Sequence, residues 1–435
     1  MMTEPIVSVG IMFQPSIRFH FSGDFKVNNQ LFNGEYSASY ESGKISFNGE
    51  LYSELQFDPI SSESSFLLYD VVIGIGFHWE RFEDQRFHGS LKLIVEESKL
   101  TAINLISIEK YLKSVISSEM SATSSLELLK AHAVISRTWL LSQIEKRDRL
   151  VDQDIKWESD VRNESEWIKW WDREDHINFD VCADDHCQRY QGITRASQSL
   201  EMVEAAVDAT RGELLMNGDA ICDARFSKCC GGAVEEFQYC WEPEPHNYLV
   251  NLYDGDHSDM AELPDLRIEM EAEKWIRTSP VAYCNTNDQR VLSQVLNNYD
   301  QETADFYRWR VEYSKAEISE LVNRRTGIDF GEIIDLKPIE RGVSGRLTKL
   351  EIVGTNRSMI IGKELLIRRA LSESHLYSSA FVVDKSEIGF VLIGAGWGHG
   401  VGLCQIGAAV MADKGFDYCS ILNHYFKSTD LRCRY

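Results

Sequence analysis

The sequence predicts an α+β fold: an antiparallel β-rich scaffold, several helices forming a groove, and a mixed α/β C-terminal part. Three observations predict it. From Ile6 to about Ile106, apolar and polar residues alternate in short runs such as SIRFHFSG, KISFNGELYSELQF and GSLKLIV, divided by Gly, Asn and Asp. A period of two marks strands with one buried face. From Glu109 to about Ile116, and again from Ser125 to about Lys146, the apolar period lengthens to that of a helix. From Phe306 onward, strand-like and helix-like stretches mix, and the chain ends in a glycine-rich loop followed by two helices. With 435 residues, 43% of them hydrophobic, the chain is long enough to bury its core without covalent staples.

These patterns divide the chain into a β-rich part (1–106), a helical and Cys/His-bearing part (107–253), an acidic insertion (254–305) and a C-terminal part (306–435). The second and fourth parts are expected to pack as one domain. Ser124 and Glu127 have the spacing of a capping box and predict the start of the second helix. Residues 147–175 carry Trp157, Trp167, Trp170 and Trp171 without a clean period and read as an insertion near the groove. Such a cluster either stacks on sugar faces or forms local core.

Charge and targeting narrow the function classes. A formal net charge of −23 argues against a nucleic-acid partner, because binding to a phosphate backbone needs Lys and Arg to displace counterions. The N-terminus, MMTEPIVSVGIMFQPSIRF, lacks the basic start, the unbroken apolar core and the cleavage site of a secretory signal. No apolar run is long enough to span a bilayer. By sequence alone, either the protein stays in the cytoplasm or an export segment is absent from this chain. Among the ten cysteines, Cys229 and Cys230 are adjacent and Cys182 and Cys187 lie among histidines, which suits metal chemistry or reduced thiols better than a disulfide framework.

Three places carry chemistry. In GAGWGHGVG, Gly394 to Gly402, every second residue is glycine, which permits positive φ and close backbone approach. The stretch is either a tight connector with a hydrogen-bonded His399 or a nest of N–H donors with His399 in its mouth; Gly415 is placed to cap the following helix. Glu119 ends an apolar stretch, and partial burial there is expected to raise its pKa toward the range of a general acid; the alternative is a solvated turn residue. On the next helix Lys130 and Arg137 share a polar stripe with Glu127, which needs either a cleft or an internal ion pair. Finally, His176, Cys182, His186 and Cys187 fall within twelve positions. Thiolates with imidazole are a preferred zinc set, with His176, Cys182 and Cys187 as ligands and His186 as substitute for His176; buried reduced thiols are the alternative.

Several of these stretches resemble one family. GWGHGVGLCQIGAAVMADKGFDYCSILNHYF resembles the C-terminal signature of the stage II sporulation protein D (SpoIID/LytB) family. YLKSVISSEM with SLELLKAHAVISRTW resembles the family's catalytic-glutamate segment, and FDVCADDHCQRYQG its middle motif. SGR at Ser344–Arg346, Arg368 and SSAF at Ser378–Phe381 also fit. The resemblance implies a peptidoglycan lytic transglycosylase with Glu119 as its single acid/base. It implies substrate contacts at Lys130, Arg137, Gly231, Gly232, Gly398, His399, Gly400 and Gln405, and Zn²⁺ beside the glutamate. It also implies a cell-envelope setting, with glycan strands as substrate. Two alternatives remain: a non-catalytic glycan-binding enhancer of an amidase partner, and a zinc-dependent hydrolase. Cys229, Cys230 and Cys404 depart from the family pattern, where serine is common.

Overall fold

The computed structural model describes residues 3–74, 80–121, 124–153, 159–171, 176–184, 186–193, 200–256, 258, 262–295 and 305–435. It is a mixed α+β fold with mostly antiparallel sheets. Two compact units interleave along the chain: 1–145 with 176–214 and 432–435, and 146–175 with 215–431. Among the described residues, no helix is long and apolar enough to cross a membrane.

In the first unit, the alternating runs form the strands of one large sheet. Strand Ile6–Gln14 pairs antiparallel with Lys99–Ser107, which pairs with Ser90–Glu96. Ser16–Val27 pairs with Gln30–Glu41 across a tight turn in which Asn28 and Asn29 both take positive φ, as two-residue hairpins require. The inward faces meet in an aromatic core of Phe19, Phe21, Phe25, Phe47, Phe57, Phe66 and Phe87, all at most 2% exposed. Rings such as Phe21 and Phe25 stack at 4.3 Å. Helix α1 (Ile108–Glu119) leaves the last strand directly, burying Ile108, Tyr111, Leu112, Val115 and Ile116.

Helix α2 (Leu126–Gln153) begins one residue later than the expected capping box allows. Ser125, not Ser124, accepts the N–H of Leu128 at 3.4 Å. The third helical residue is therefore Leu128, and the Glu127 carboxylate is released to pair with Lys130 at 2.8 Å. Helix α3 (Leu200–Ala209) packs beside α1.

The second unit holds α4 (Glu269–Arg277), α5 (Gln289–Val295), α6 (Lys315–Thr326) and α7 (Glu364–Ala370). Its helices α8 (Gln405–Asp413) and α9 (Tyr418–Tyr425) lie near the C-terminus. Trp309, Ile318, Phe330, Leu350, Ile361, Leu366 and Phe381 form its main core. Helix α6 shows full capping chemistry, with Ser314 and Glu317 bonded reciprocally and Gly327 left-handed at its end. The tryptophan-rich stretch carries strands that its sequence showed no period for. Its strands Asp160–Arg162 and Glu166–Lys169 extend the unit's sheet, the second pairing in parallel with Ser358–Gly362. Trp167 packs against the main core, as the local-core alternative held. Trp157 lies outside the described residues.

Candidate functional site

The first unit positions the catalytic candidate beside the Cys/His motif. Val181 and Cys182 add a short parallel strand to the edge of Ile6–Gln14, opposite Val9 and Gly10. Two anchors fix it there. The Asp180 carboxylate accepts the Ser8 N–H and hydroxyl at 2.8 and 2.7 Å. The Phe179 ring lies against Gly10, where any Cβ would come within 2.5 Å of it. The loop then closes through Tyr190 N–H on Ala183 O at 3.0 Å, so His186 and Cys187 are carried at its tip.

Four ligand atoms converge there. Cys187 Sγ lies 3.4 Å from both His176 Nε2 and His186 Nδ1, and Cys182 Sγ lies 3.9 Å from His186 Nδ1. All four ligand atoms are within 4.8 Å of one another. The Cys187 hydrogen bond, with those of His176 and His186, pulls the Cys182 thiol down to about 2 against the opposing effect of burial. Two thiols and two imidazoles at this separation fit a tetrahedral zinc ion. His186 lies within reach of the same point as His176.

Glu119 is the last residue of α1, half-buried between buried Ser118 and Met120. Its Oε1 accepts the backbone N–H of Arg189 at 3.2 Å. Arg189 lies two residues after Cys187, so one short segment serves both the ligand cluster and the carboxylate. Beneath them the Tyr111 hydroxyl donates to Gln188 Oε1 at 3.3 Å, and the Tyr111 ring stacks on Tyr190 at 5.0 Å. A cavity of about 70 Å³ bordered by Cys182, Arg189 and Gln85 adjoins the motif.

Arg137 corrects an expectation. It is 0% exposed and gives two hydrogen bonds to Glu109, at 2.9 and 2.7 Å. Glu109 also accepts from Gly212 N–H at 3.2 Å and from the Tyr435 hydroxyl at 2.6 Å. This is an internal network, and no substrate reaches Arg137. Lys130 keeps its Glu127 pair with a side chain 18% exposed.

In the second unit, Gly396, Gly398, Gly400 and Gly402 all take positive φ, between 73° and 92°. The expected donor nest is largely spent on the protein itself. The N–H groups of Gly396, Trp397, Gly398 and Leu403 go to carbonyls of Tyr307, Cys229, Tyr377 and Arg225, and that of Val401 to His399 Nδ1 at 3.0 Å. Burial, reinforced by Arg225 and Arg346, pushes the His399 pKa well below its usual value, so the ring is neutral. It meets Trp241 edge-on at 5.0 Å.

The glycines instead admit Arg346, which is 1% exposed and donates to Gly398 O, Cys230 O and the Ser344 hydroxyl. A Cβ at Gly400 would overlap its guanidinium. Gly400→Ala is therefore expected to lose at least about 2 kcal/mol, from the left-handed backbone and overpacking together; chemical denaturation against wild type measures it. Nearby Glu235 accepts from Val343 and Ser344 N–H and from the Ser344 hydroxyl, and burial pushes its carboxyl up to about 7. Sequence reasoning missed Glu235 altogether and noted Arg346 only as part of SGR.

The other substrate candidates in this unit divide by exposure. Gly231, Gly232, Gly400 and Gln405 are buried, so the expectation that they contact substrate is not met. The two glycines of the Cys-Cys-Gly-Gly loop lie against Gly396, Tyr307 and Trp275. Gly398 and His399 are half-buried and stay at the surface beside half-buried Trp241 and Trp397. Gly415 takes positive φ after α8, as expected of its cap.

The first unit thus defines a class: a β-rich α+β protein presenting one carboxylate beside a thiolate–imidazole ligand set. Residues 96–217 match the model described as Stage II sporulation protein, and residues 235–402 match Domain of unknown function (DUF8618). The chain is 26% identical over 345 residues to an uncharacterized protein of Brachyspira hyodysenteriae, covering 79% of this chain and 72% of that one. It is 24% identical over 340 residues to the Amidase enhancer of Bacillus subtilis, covering 74% of this chain but 40% of that protein. It is 21% identical over 337 residues to Stage II sporulation protein D of Bacillus amyloliquefaciens, covering 76% and 75%. The chain is related to stage II sporulation protein D and the amidase enhancer at modest identity, as its motifs indicated.

Proposed function

We propose that this protein acts on the bacterial cell wall as a peptidoglycan lytic transglycosylase, with Glu119 as its one acid/base. The observation that carries the reading is the placement of Glu119: half-buried at a helix end, fixed by Arg189 N–H at 3.2 Å, within the segment that matches the sporulation-protein model. In the reaction, the Glu119 carboxylic acid gives its proton to the glycosidic oxygen between N-acetylmuramic acid and N-acetylglucosamine. The muramoyl 6-hydroxyl closes on C1 as that bond breaks, and the carboxylate takes the hydroxyl proton. Water is not consumed, and a second carboxylate is unnecessary, unlike in hydrolytic glycosidases.

His176, Cys182, His186 and Cys187 would hold zinc in this reading. Bound there, the ion would neutralise the two thiolates and give rigidity to the loop that holds Glu119. Four donors within 4.8 Å of one another would fill a tetrahedral shell without a hydrolytic water, which disfavours a zinc-dependent hydrolase. Cys182→Ser with Cys187→Ser is expected to remove one zinc per chain by elemental mass spectrometry; unchanged zinc content would refute the assignment.

The relative named Amidase enhancer favours a second reading, in which the protein binds glycan and stimulates an amidase partner. One experiment separates them. Purified protein is incubated with peptide-stripped glycan strands and the ends are analysed by mass spectrometry. Anhydromuramoyl ends support the lytic reading and reducing ends support hydrolysis. Binding without any new ends, together with faster amidase turnover, supports the enhancer.

A further inference from the structure

We propose that Cys230, Cys284, Cys404 and Asp254 form a second metal site, buried in the second unit and built for a zinc-class divalent cation. The site is separate from the His176/Cys182/His186/Cys187 cluster and does not depend on the reading of function above. Its ligand atoms all lie within 4.8 Å of one another. Cys230 Sγ is 3.6 Å from Cys284 Sγ and 3.3 Å from Asp254 Oδ2. A tetrahedral ion with Zn–S bonds of about 2.3 Å places its sulfur ligands about 3.8 Å apart, within a few tenths of an ångström of the Cys230–Cys284 separation. A disulfide needs about 2.05 Å and would leave a third thiol and a carboxylate enclosed with no bond to make.

The surroundings match a ligand shell rather than a packed core. The four residues come from separate places in the chain: the Cys-Cys-Gly-Gly loop, the residue after Tyr253, the segment after α4, and the N-cap of α8. Buried thiols alone are ordinary core. A carboxylate at 0% exposure among three of them is not, because an enclosed charge needs a cation or a proton, and the His424 ring lies no closer than 4.0 Å to it. Two of the ligands also have orienting partners. Asp254 accepts the Tyr425 hydroxyl at 2.7 Å and the Cys284 N–H at 3.1 Å, and Cys404 Sγ accepts the Cys230 N–H at 3.2 Å. The helix wall is cut away for the carboxylate, since a Cβ on Gly407 would lie 2.5 Å from Asp254 Oδ1.

Burial pushes Cys230, Cys284 and Asp254 up, the last to about 7, so without metal the site stores protons. Burial also opposes a charge on Cys404, yet hydrogen bonds from Cys229, Cys230 and Cys284 pull its pKa down. Binding displaces the remaining thiol and carboxyl protons to solvent as the four metal–ligand bonds form. With three thiolates, one carboxylate and a divalent ion, the site carries a net charge of about −2, partly offset by the N-terminus of the nine-residue helix α8. Complete enclosure makes the ion structural. It ties the loop before Gly231, the acidic segment after Tyr253 and the start of α8, and so fixes the end of the glycine loop that runs into Cys404.

The probe is zinc alone, added to the full-length protein purified under reduction without chelator, with zinc counted per chain by native mass spectrometry. In the Cys182→Ser/Cys187→Ser background, where the first cluster is disabled, one zinc per chain is expected, and none overturns the proposal. In otherwise wild-type protein, Cys284→Ser and the isosteric Asp254→Asn are each expected to lower the zinc count by one or weaken that zinc at least tenfold. Circular dichroism confirms that the compared variants are folded. Cobalt in the disabled background should show thiolate charge-transfer absorption that Asp254→Asn weakens. A zinc count unchanged in both folded variants, or a Cys230–Cys284 disulfide in reduced protein, also overturns it.

Discussion

Glu119→Gln is expected to lower the rate of glycan cleavage by about 10²–10⁴-fold, the contribution of a positioned general acid. In barrier terms this is about 3–5 kcal/mol. The substitution is chosen because it removes the proton and little else. A glutamine oxygen still accepts the Arg189 N–H now 3.2 Å from Glu119 Oε1, so the end of α1 stays tied to the loop of Cys187. The side chain is only half-buried, and stability should change by no more than about 0.5–1 kcal/mol. The measurement pairs the yield of anhydromuramoyl ends with a denaturation curve. Lost yield with an unmoved curve assigns the proton transfer to Glu119. Undiminished yield in the folded variant would remove the acid from the mechanism, and an unchanged stimulation of an amidase by the same variant would move the function to glycan binding.

What was legible in the sequence was local. The strands of the first hundred residues announce themselves because alternation in each run is set by one sheet face. The Cys/His cluster was visible because four ligands fall within twelve positions, and α1 delivers Glu119 to a packed helix end, as its apolar approach suggested. Failures came where a partner lies far along the chain. Arg137 looked like a groove residue on its helix stripe because its partner, Glu109, sits 28 positions earlier. Glu166–Lys169 showed no period because it is one strand of a sheet whose neighbour is Ser358–Gly362. Cys230 and Cys404 are 174 positions apart, and no spacing rule joins them to Asp254 and Cys284. One cap was misplaced by a single residue, Ser124 for Ser125, and this freed Glu127 for Lys130.

Arg137→Met is expected to destabilise the first unit by about 3–5 kcal/mol, the cost of stripping one partner from a buried ion pair. The guanidinium is 0% exposed, and its two bonds to Glu109 leave that carboxylate enclosed and uncompensated once it is gone. Methionine preserves much of the volume, so the loss reports charge more than cavity. Glu109 cannot simply be removed as well, because Gly212 N–H and the Tyr435 hydroxyl also rely on its oxygen. Glu109→Gln keeps an acceptor for both while discarding the charge. The double variant Arg137→Met/Glu109→Gln should therefore be less destabilised than the sum of its two singles, with a coupling of about 0.5–3 kcal/mol from urea titrations. Activity supplies the decisive contrast. A substrate-binding arginine would raise KM with the denaturation curve in place. A structural one lowers the midpoint and leaves KM unchanged in whatever fraction remains folded.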